Sequence, residues 1–162
     1  MISQTSEYAL RAVMYLALGD GKPRTTAEIA ARTKIPPGYL SKVLRTLSQA
    51  GLMEARRGIG GGFMLGKEPE EISILDVISA VDAGVSRIES CPLGSFEHES
   101  LCAMHRILDD ANAYIETKFR TTSIQDVLEQ AGNSHPLCDP EQRPITPTWG
   151  NGATKMDPPT KA

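Results

Sequence analysis

Two groups of residues in this 162-residue chain are of types and spacings that could do chemistry. The first is cationic. Residues 44–65 read LRTLSQAGLMEARRGIGGGFML, in which Arg56 and Arg57 precede glycines at 58, 60, 61 and 62. Two short apolar segments, 52–55 and 63–65, flank the glycines, so the stretch reads as a β-hairpin. Glycine tolerates φ > 0 and places no side chain in the way, so the backbone at Gly60 and Gly61 and the two guanidinium groups can approach a polyanion closely. A cationic hairpin directly after an amphipathic helix is the pattern of a recognition helix followed by a wing. Its chemistry is duplex DNA binding.

The second group is Cys91-x10-Cys102-x2-His105. Cys102 and His105 lie three apart, on one face of a helix, and a loop can bring Cys91 to them. Thiolates favour an iron-sulfur cluster or zinc. A 2Fe-2S cluster takes four protein ligands, and imidazole can replace sulfur on one iron. The spacing names three ligands; His98 in the loop is a candidate fourth, and Cys138 is another if the C-terminal segment folds back. The competing possibility is a packed thiol, an exposed thiol and a helix-surface histidine with no metal between them.

Several elements must position these groups. Leu10, Val13, Met14 and Ala17 fall at helical spacing over 6–18, with Ser3, Thr5 or Ser6 available as a cap. Thr25 and Glu28 form a Thr-x-x-Glu capping box that opens a short second helix to about residue 32. The break at 35–38 contains Pro36 and Pro37, which suit a helix start. Leu40, Val43, Leu44 and Leu47 then form one buried stripe of a third helix ending at Gly51. That stripe turns Gly38, Tyr39, Ser41, Lys42 and Arg45 outward, where they can reach base edges or phosphates, Ser41 and Lys42 being placed best for bases. The alternatives are that Tyr39 packs into the domain and Lys42 stays solvated. Arg56 or Arg57 is expected at the minor groove or its phosphates.

Downstream, Ser73 and Asp76 repeat the capping pattern before an apolar helix reaching about residue 82, and 83–99 lack periodicity. Over 100–119, Leu101, Met104, Leu108, Ala111 and Ile115 alternate steps of three and four, a narrow seam suited to a copy of itself in a homodimer or to docking on its own domain. A capped helix is expected over 123–131. The segment from 132 holds six of the eleven prolines and almost no aliphatic side chains, and is expected to be disordered.

Charge divides in the same place as these elements. Residues 1–67 carry ten Lys/Arg against four Asp/Glu, and 68–162 carry seven against sixteen, so the net −3 hides a basic half and an acidic one. The expected organisation is a DNA-binding domain at 1–67, a linker helix, sensor loop and dimerisation helix at 68–131, and a tail at 132–162. An apolar content of 40% suffices for one compact core. With no apolar run near eighteen residues and no basic-apolar leader, a cytoplasmic location with reduced thiols and no membrane contact is expected.

The third helix, the run RRGIGGGFMLGK and the following ISILDVISAVD together resemble the Rrf-two family of bacterial transcription regulators over residues 1–131. The resemblance implies a mainly α fold with a small β-wing, a winged helix-turn-helix plus a long dimerisation helix, and palindromic promoter binding. It also implies control, in many members, by an iron-sulfur cluster that senses redox state, iron or nitric oxide. Cys91 and Cys102 match the outer two of the usual three cysteines; the segment between them, PLGSFEHESL, lacks the middle one. His105 matches a histidine that ligates the cluster in some members. Glu7 matches an N-terminal acidic ligand position, which would reach a cluster across a dimer. The implied cofactor is a 2Fe-2S cluster. Its counterpart is a cluster-free thiol- or metabolite-sensing regulator of the same fold.

An enzyme is disfavoured, because no nucleophile sits with a base at useful spacing and no phosphate-cradling loop follows a strand. A winged helix serving only as a protein-interaction module is disfavoured by the basic N-terminal half.

Overall fold

The computed structural model describes residues 2–90 and 101–130. Along them run α1 (Gln4–Ala17), α2 (Thr26–Thr33), α3 (Pro37–Gln49), β1 (Met53–Arg56), β2 (Gly62–Leu65), α4 (Ile74–Val81), α5 (Ala103–Arg120) and α6 (Ile124–Gln130), with a 3-10 turn at Pro69–Glu71 before α4. The expected tail from 132 and the loop residues 91–99 lie outside the described residues.

Helix starts follow side-chain capping. Ser3 accepts from the Ser6 N–H at α1, and the Thr25/Glu28 and Ser73/Asp76 boxes close reciprocally at α2 and α4. Ser123 and Asp126 make the same exchange at α6. Accepting these N–H groups favours the ionised carboxylate, so Glu28, held first by the Thr25 backbone, and Asp126, held first by the Ser123 backbone, titrate below the usual range. Pro37 opens α3 at its first position, and Gly51, at φ 73°, ends it one residue past the cap.

A single buried cluster joins α1, α2 and α3 to the later helices, with Val13, Ile29, Leu40, Leu44, Leu47, Ile72, Val77 and Ile124 all fully enclosed. The stripe expected on α3 is the one observed. On α1 the buried face is wider than expected: Ser6, Ala9, Ala12, Val13, Met14 and Leu16 are buried, while Leu10 and Ala17 sit at its margin. The reason is position, since α1 packs against α2, α3, α4, α6 and β2 at once. A helix enclosed on several sides shows no clean amphipathic stripe.

α4 and α6 meet end to end. Ser73 pairs with Ser123, the Ile74 N–H donates to the Thr122 carbonyl at 3.0 Å, and the Ile124 N–H donates to the Ile72 carbonyl at 2.8 Å. α5 leaves this junction with His105 as its one buried residue. Its seam residues Met104, Leu108 and Ile115 are exposed, as are Ile107 and Tyr114 beside them. Among the described residues, nothing covers Met104, Leu108 and Ile115, so the seam does not dock on the described part of its own domain. The chain leading out of α4 is strapped along α5: Arg87 grips the Asp109 carboxylate with two N–H groups at 2.8 and 2.6 Å, the Ile88 N–H donates to the same carboxylate at 2.8 Å, and Asn112 donates to the Ser86 carbonyl at 2.9 Å.

Candidate functional site

α2 and α3 form a helix-turn-helix whose turn passes through Lys34, the one non-glycine residue with positive φ (58°) among the described residues. After the turn, Leu40, Val43, Leu44 and Leu47 face the core, which leaves Gly38, Tyr39, Ser41, Lys42 and Arg45 exposed. Ser41 donates its hydroxyl proton back to the Pro37 carbonyl at 3.0 Å, and its lone pairs remain available as acceptors. Tyr39 is half committed to the domain. Its hydroxyl is hydrogen-bonded to Thr5, and its ring stands edge-on to Tyr8 with centroids 5.5 Å apart. Tyr8 in turn carries the Arg11 guanidinium 5.8 Å from its ring centroid. Tyr39 thus ties the start of α3 to α1, closer to the packed alternative than to that of a base-reading side chain.

The hairpin pairs Met53 with Leu65, Glu54 with Met64, Ala55 with Phe63 and Arg56 with Gly62. Its base is joined to α3 through Leu52, whose N–H donates to the Leu47 carbonyl at 3.0 Å. The outer edge of β2 is also covered, because Phe63 exchanges two 2.8 Å hydrogen bonds with Arg24 just before α2. Two glycines are obligatory here. A Cβ at Gly62 would lie 2.4 Å from the Arg24 carbonyl oxygen, and one at Gly61 would lie 2.4 Å from that of Arg56. The Gly61 N–H also donates to Gly58 at 2.9 Å and closes the turn, so this amide is spent within the hairpin and not free for a phosphate. Gly60 is exposed at the tip.

Cations on this surface lack carboxylate partners, as do the exposed Lys34, Lys67, Arg106 and Lys118 among the described residues. Arg11, Lys22, Arg24, Arg87 and Arg120 each hold a carboxylate. Lys42, Arg45, Arg56 and Arg57 are exposed and hold none among the described residues. Four unpaired cations on one helix face and the adjoining hairpin are what a polyanionic partner requires.

At the other end of the molecule Cys102 is the N-cap residue of α5, and its Sγ lies 3.3 Å from Nδ1 of His105, which is buried. The helical spacing read from the sequence thus brings these two together. Glu7, on α1, is paired with Arg11 and does not join them within one chain; no group of three or more His, Cys, Asp or Glu side chains converges among the described residues. Cys91, His98 and Cys138 lie outside the described residues. A thiol beside an imidazole is the donor chemistry of iron-sulfur and zinc sites, so these two residues fit such a centre as two of its ligands.

Sequence reasoning overlooks Ile59, which stands at the hairpin tip with its side chain wholly in solvent. An aliphatic residue inside a run of glycines, with no cross-strand position to occupy, is the available signal.

A helix-turn-helix with an exposed cationic face and a glycine hairpin beside it defines a winged-helix DNA-binding protein. The sequence profile of Rrf2, an iron-dependent transcriptional regulator family, matches residues 2–130, and the chain belongs to this family. It is 33% identical over 132 residues to an HTH-type transcriptional regulator of Aquifex aeolicus (strain VF5), covering 79% of this chain and 91% of that protein. Identity to the HTH-type regulator BadM of Rhodopseudomonas palustris is 31% over 154 residues, covering 94% and 92%. CymR, the global cysteine regulator of B. subtilis, shares the fold with a TM-score of 0.69 at 24% identity, covering 80% of this chain and 97% of that one. T. potens IscR superimposes with a TM-score of 0.67 at 26% identity, covering 81% and 88%. The protein is a DNA-binding transcription regulator of the Rrf2 type and not an enzyme. Among the described residues no helix is long and apolar enough to cross a membrane.

Proposed function

We propose that two copies of this chain join along α5 and present their α3 helices to successive major-groove half-sites of a palindromic promoter, with each hairpin at the adjoining minor groove. The observation that carries this reading is the set of exposed, unpaired cations at Lys42, Arg45, Arg56 and Arg57. Ser41 and Lys42 face bases, Arg45 faces phosphate, and Arg56 and Arg57 sit at the narrow groove. The outward seam of Met104, Leu108 and Ile115 supplies the surface between copies. In this scheme residues 1–67 read DNA and 68–131 link, sense and dimerise.

The sensing end is Cys102 with His105, completed by Cys91 and by Glu7 of the second copy or by His98. Bound there, a 2Fe-2S cluster would supply a redox- and iron-responsive centre, consistent with the iron-dependent description of the family. A cluster-free thiol sensor is favoured by one observation, that the segment between Cys91 and Cys102, PLGSFEHESL, lacks a third cysteine. Anaerobic purification followed by iron and sulfide assay and a visible spectrum separates the two. A coloured protein with two irons and two sulfides per site supports the cluster, and a colourless, iron-free protein leaves the thiol sensor.

Fluorescence anisotropy on duplexes of about three helical turns tests the DNA surface. Replacing Arg56 and Arg57 together by Ala is expected to weaken binding and to make the log–log salt slope shallower by about 0.9 for each phosphate that the variant no longer neutralises. Unchanged affinity and slope would remove the hairpin from the interface.

A further inference from the structure

We infer that Ile59 is an apolar wedge, carried by the hairpin tip onto the floor of the minor groove, and that it gives the protein a preference for base steps that unstack easily. The inference rests on the DNA reading above and adds a specificity element to it.

Residue 59 is 111% exposed, so its side chain packs on nothing in its own chain. Turn chemistry does not ask for it either, since a β-branched residue is a poor choice in a tight turn where Gly, Asn or Asp would serve. Yet the turn that carries it is braced. Gly61 bonds back to Gly58 across the tip, Arg56 pairs with Gly62 at its base, and Phe63 is held from the other side by Arg24.

The tip is also narrow. Gly58 and Gly60 flank Ile59, and the space where their side chains would stand is empty. One branched aliphatic group therefore projects alone from a bare ribbon. The minor groove is about 6 Å wide, which suits such a ribbon and excludes a bulkier one. Apolar side chains entering that groove act by prying base steps apart, and pyrimidine–purine steps yield most readily.

Charge selects the occupant. Arg56 and Arg57 stand immediately before the wedge, exposed and without carboxylates among the described residues, so an apolar protein surface covering Ile59 would have to bury or crowd two unpaired guanidinium groups. A duplex offers phosphate rims to the arginines and an apolar floor of sugars and base edges to the isoleucine.

The test uses the full chain with three duplexes of equal length: one of alternating TA steps, one of uninterrupted A-tracts and one of G·C pairs. A 2-aminopurine replaces one adenine of a central TA step. The native protein is expected to bind the TA-step duplex about tenfold more tightly than the A-tract, a difference of about 1.4 kcal/mol, and to raise the 2-aminopurine fluorescence. Ile59→Ala should bind both duplexes with the A-tract affinity, leave the fluorescence flat and keep the salt slope; Ile59→Leu should restore the preference. Arg56→Ala with Arg57→Ala should instead weaken all three complexes and flatten the slope. A preference that survives Ile59→Ala, or that the native protein never shows, overturns the wedge while leaving the DNA reading intact. Failure of the native protein to bind any duplex removes both.

Discussion

α3 and α5 are both amphipathic helices, and they dispose of their apolar faces in opposite ways. Leu40, Val43, Leu44 and Leu47 of α3 are enclosed by the rest of the chain, so its polar face is the one left to solvent. On α5 only His105 is buried, while Met104, Ile107, Leu108, Tyr114 and Ile115 stand in solvent. An exposed row of that kind marks an interaction surface. A similar helical periodicity is thus closed by the core in one helix and left open to solvent in the other, and the sequence pattern alone does not say which.

Substitutions at matched leucines break or sharpen that contrast. Leu44→Ala should lower the unfolding free energy by about 2–5 kcal/mol in urea denaturation, as expected for a cavity in a closed core. Leu108→Glu should leave the fold intact and act on association, moving the sedimentation profile to monomer at micromolar concentration. If Leu108→Glu unfolds the chain, or if it remains dimeric, α5 is not the helix that joins copies.

A smaller effect is expected at the hairpin, which belongs to the closed side of the comparison through its hydrogen bonds with Arg24. Gly62→Ala forces a methyl group against the Arg24 carbonyl and should destabilise by about 2 kcal/mol, with loss of the wing's strand pairing in amide exchange. Smaller again, and opposite in sign, Lys34→Gly relieves the left-handed backbone at the helix-turn-helix corner. The gain should be about 0.5–1 kcal/mol in thermal or urea unfolding.

The least effect concerns the strap on α5. Hydrogen bonds from the Arg87 side chain, and then from the Ile88 backbone, hold the Asp109 carboxyl at about 2, below its ordinary 3.8. A carboxyl depressed in the folded state adds stability that is complete above its unfolded value and disappears as pH falls toward its folded one. Asp109→Asn should therefore flatten the melting-temperature profile between about pH 4 and 2. Some slope will remain, because Asp20, Asp82 and Asp126 are depressed as well. An unaltered profile would show that the strap does not survive in solution.

The features legible in the sequence are those set by local chemistry. Thr25 with Glu28, Ser73 with Asp76 and Ser123 are short-range capping signals, and Leu40 to Leu47 is a one-sided stripe, so helix positions follow directly. What stays hidden depends on distant partners. The breadth of the α1 face comes from five neighbouring elements, Tyr39 is engaged by Thr5 and Tyr8, and the strap needs Asp109 to meet Arg87 across 22 residues. In the candidate sites the spacing of Cys102 and His105 is readable because a helix fixes it. Ile59 escapes such a reading because its environment is solvent, to which periodicity gives no clue.

The end-to-end meeting of α4 and α6 has a mechanical corollary. Backbone hydrogen bonds at Ile74 and Ile124 pin both ends of the intervening segment at one joint, and that joint belongs to the core that carries α3. Eighteen residues of helix form a stiff arm of about 27 Å from this pivot to Cys102. Tilting the arm by about 5° would sweep its far tip through about 2 Å, a movement that the strap on Asp109 and Asn112 and the burial of His105 near that tip oppose.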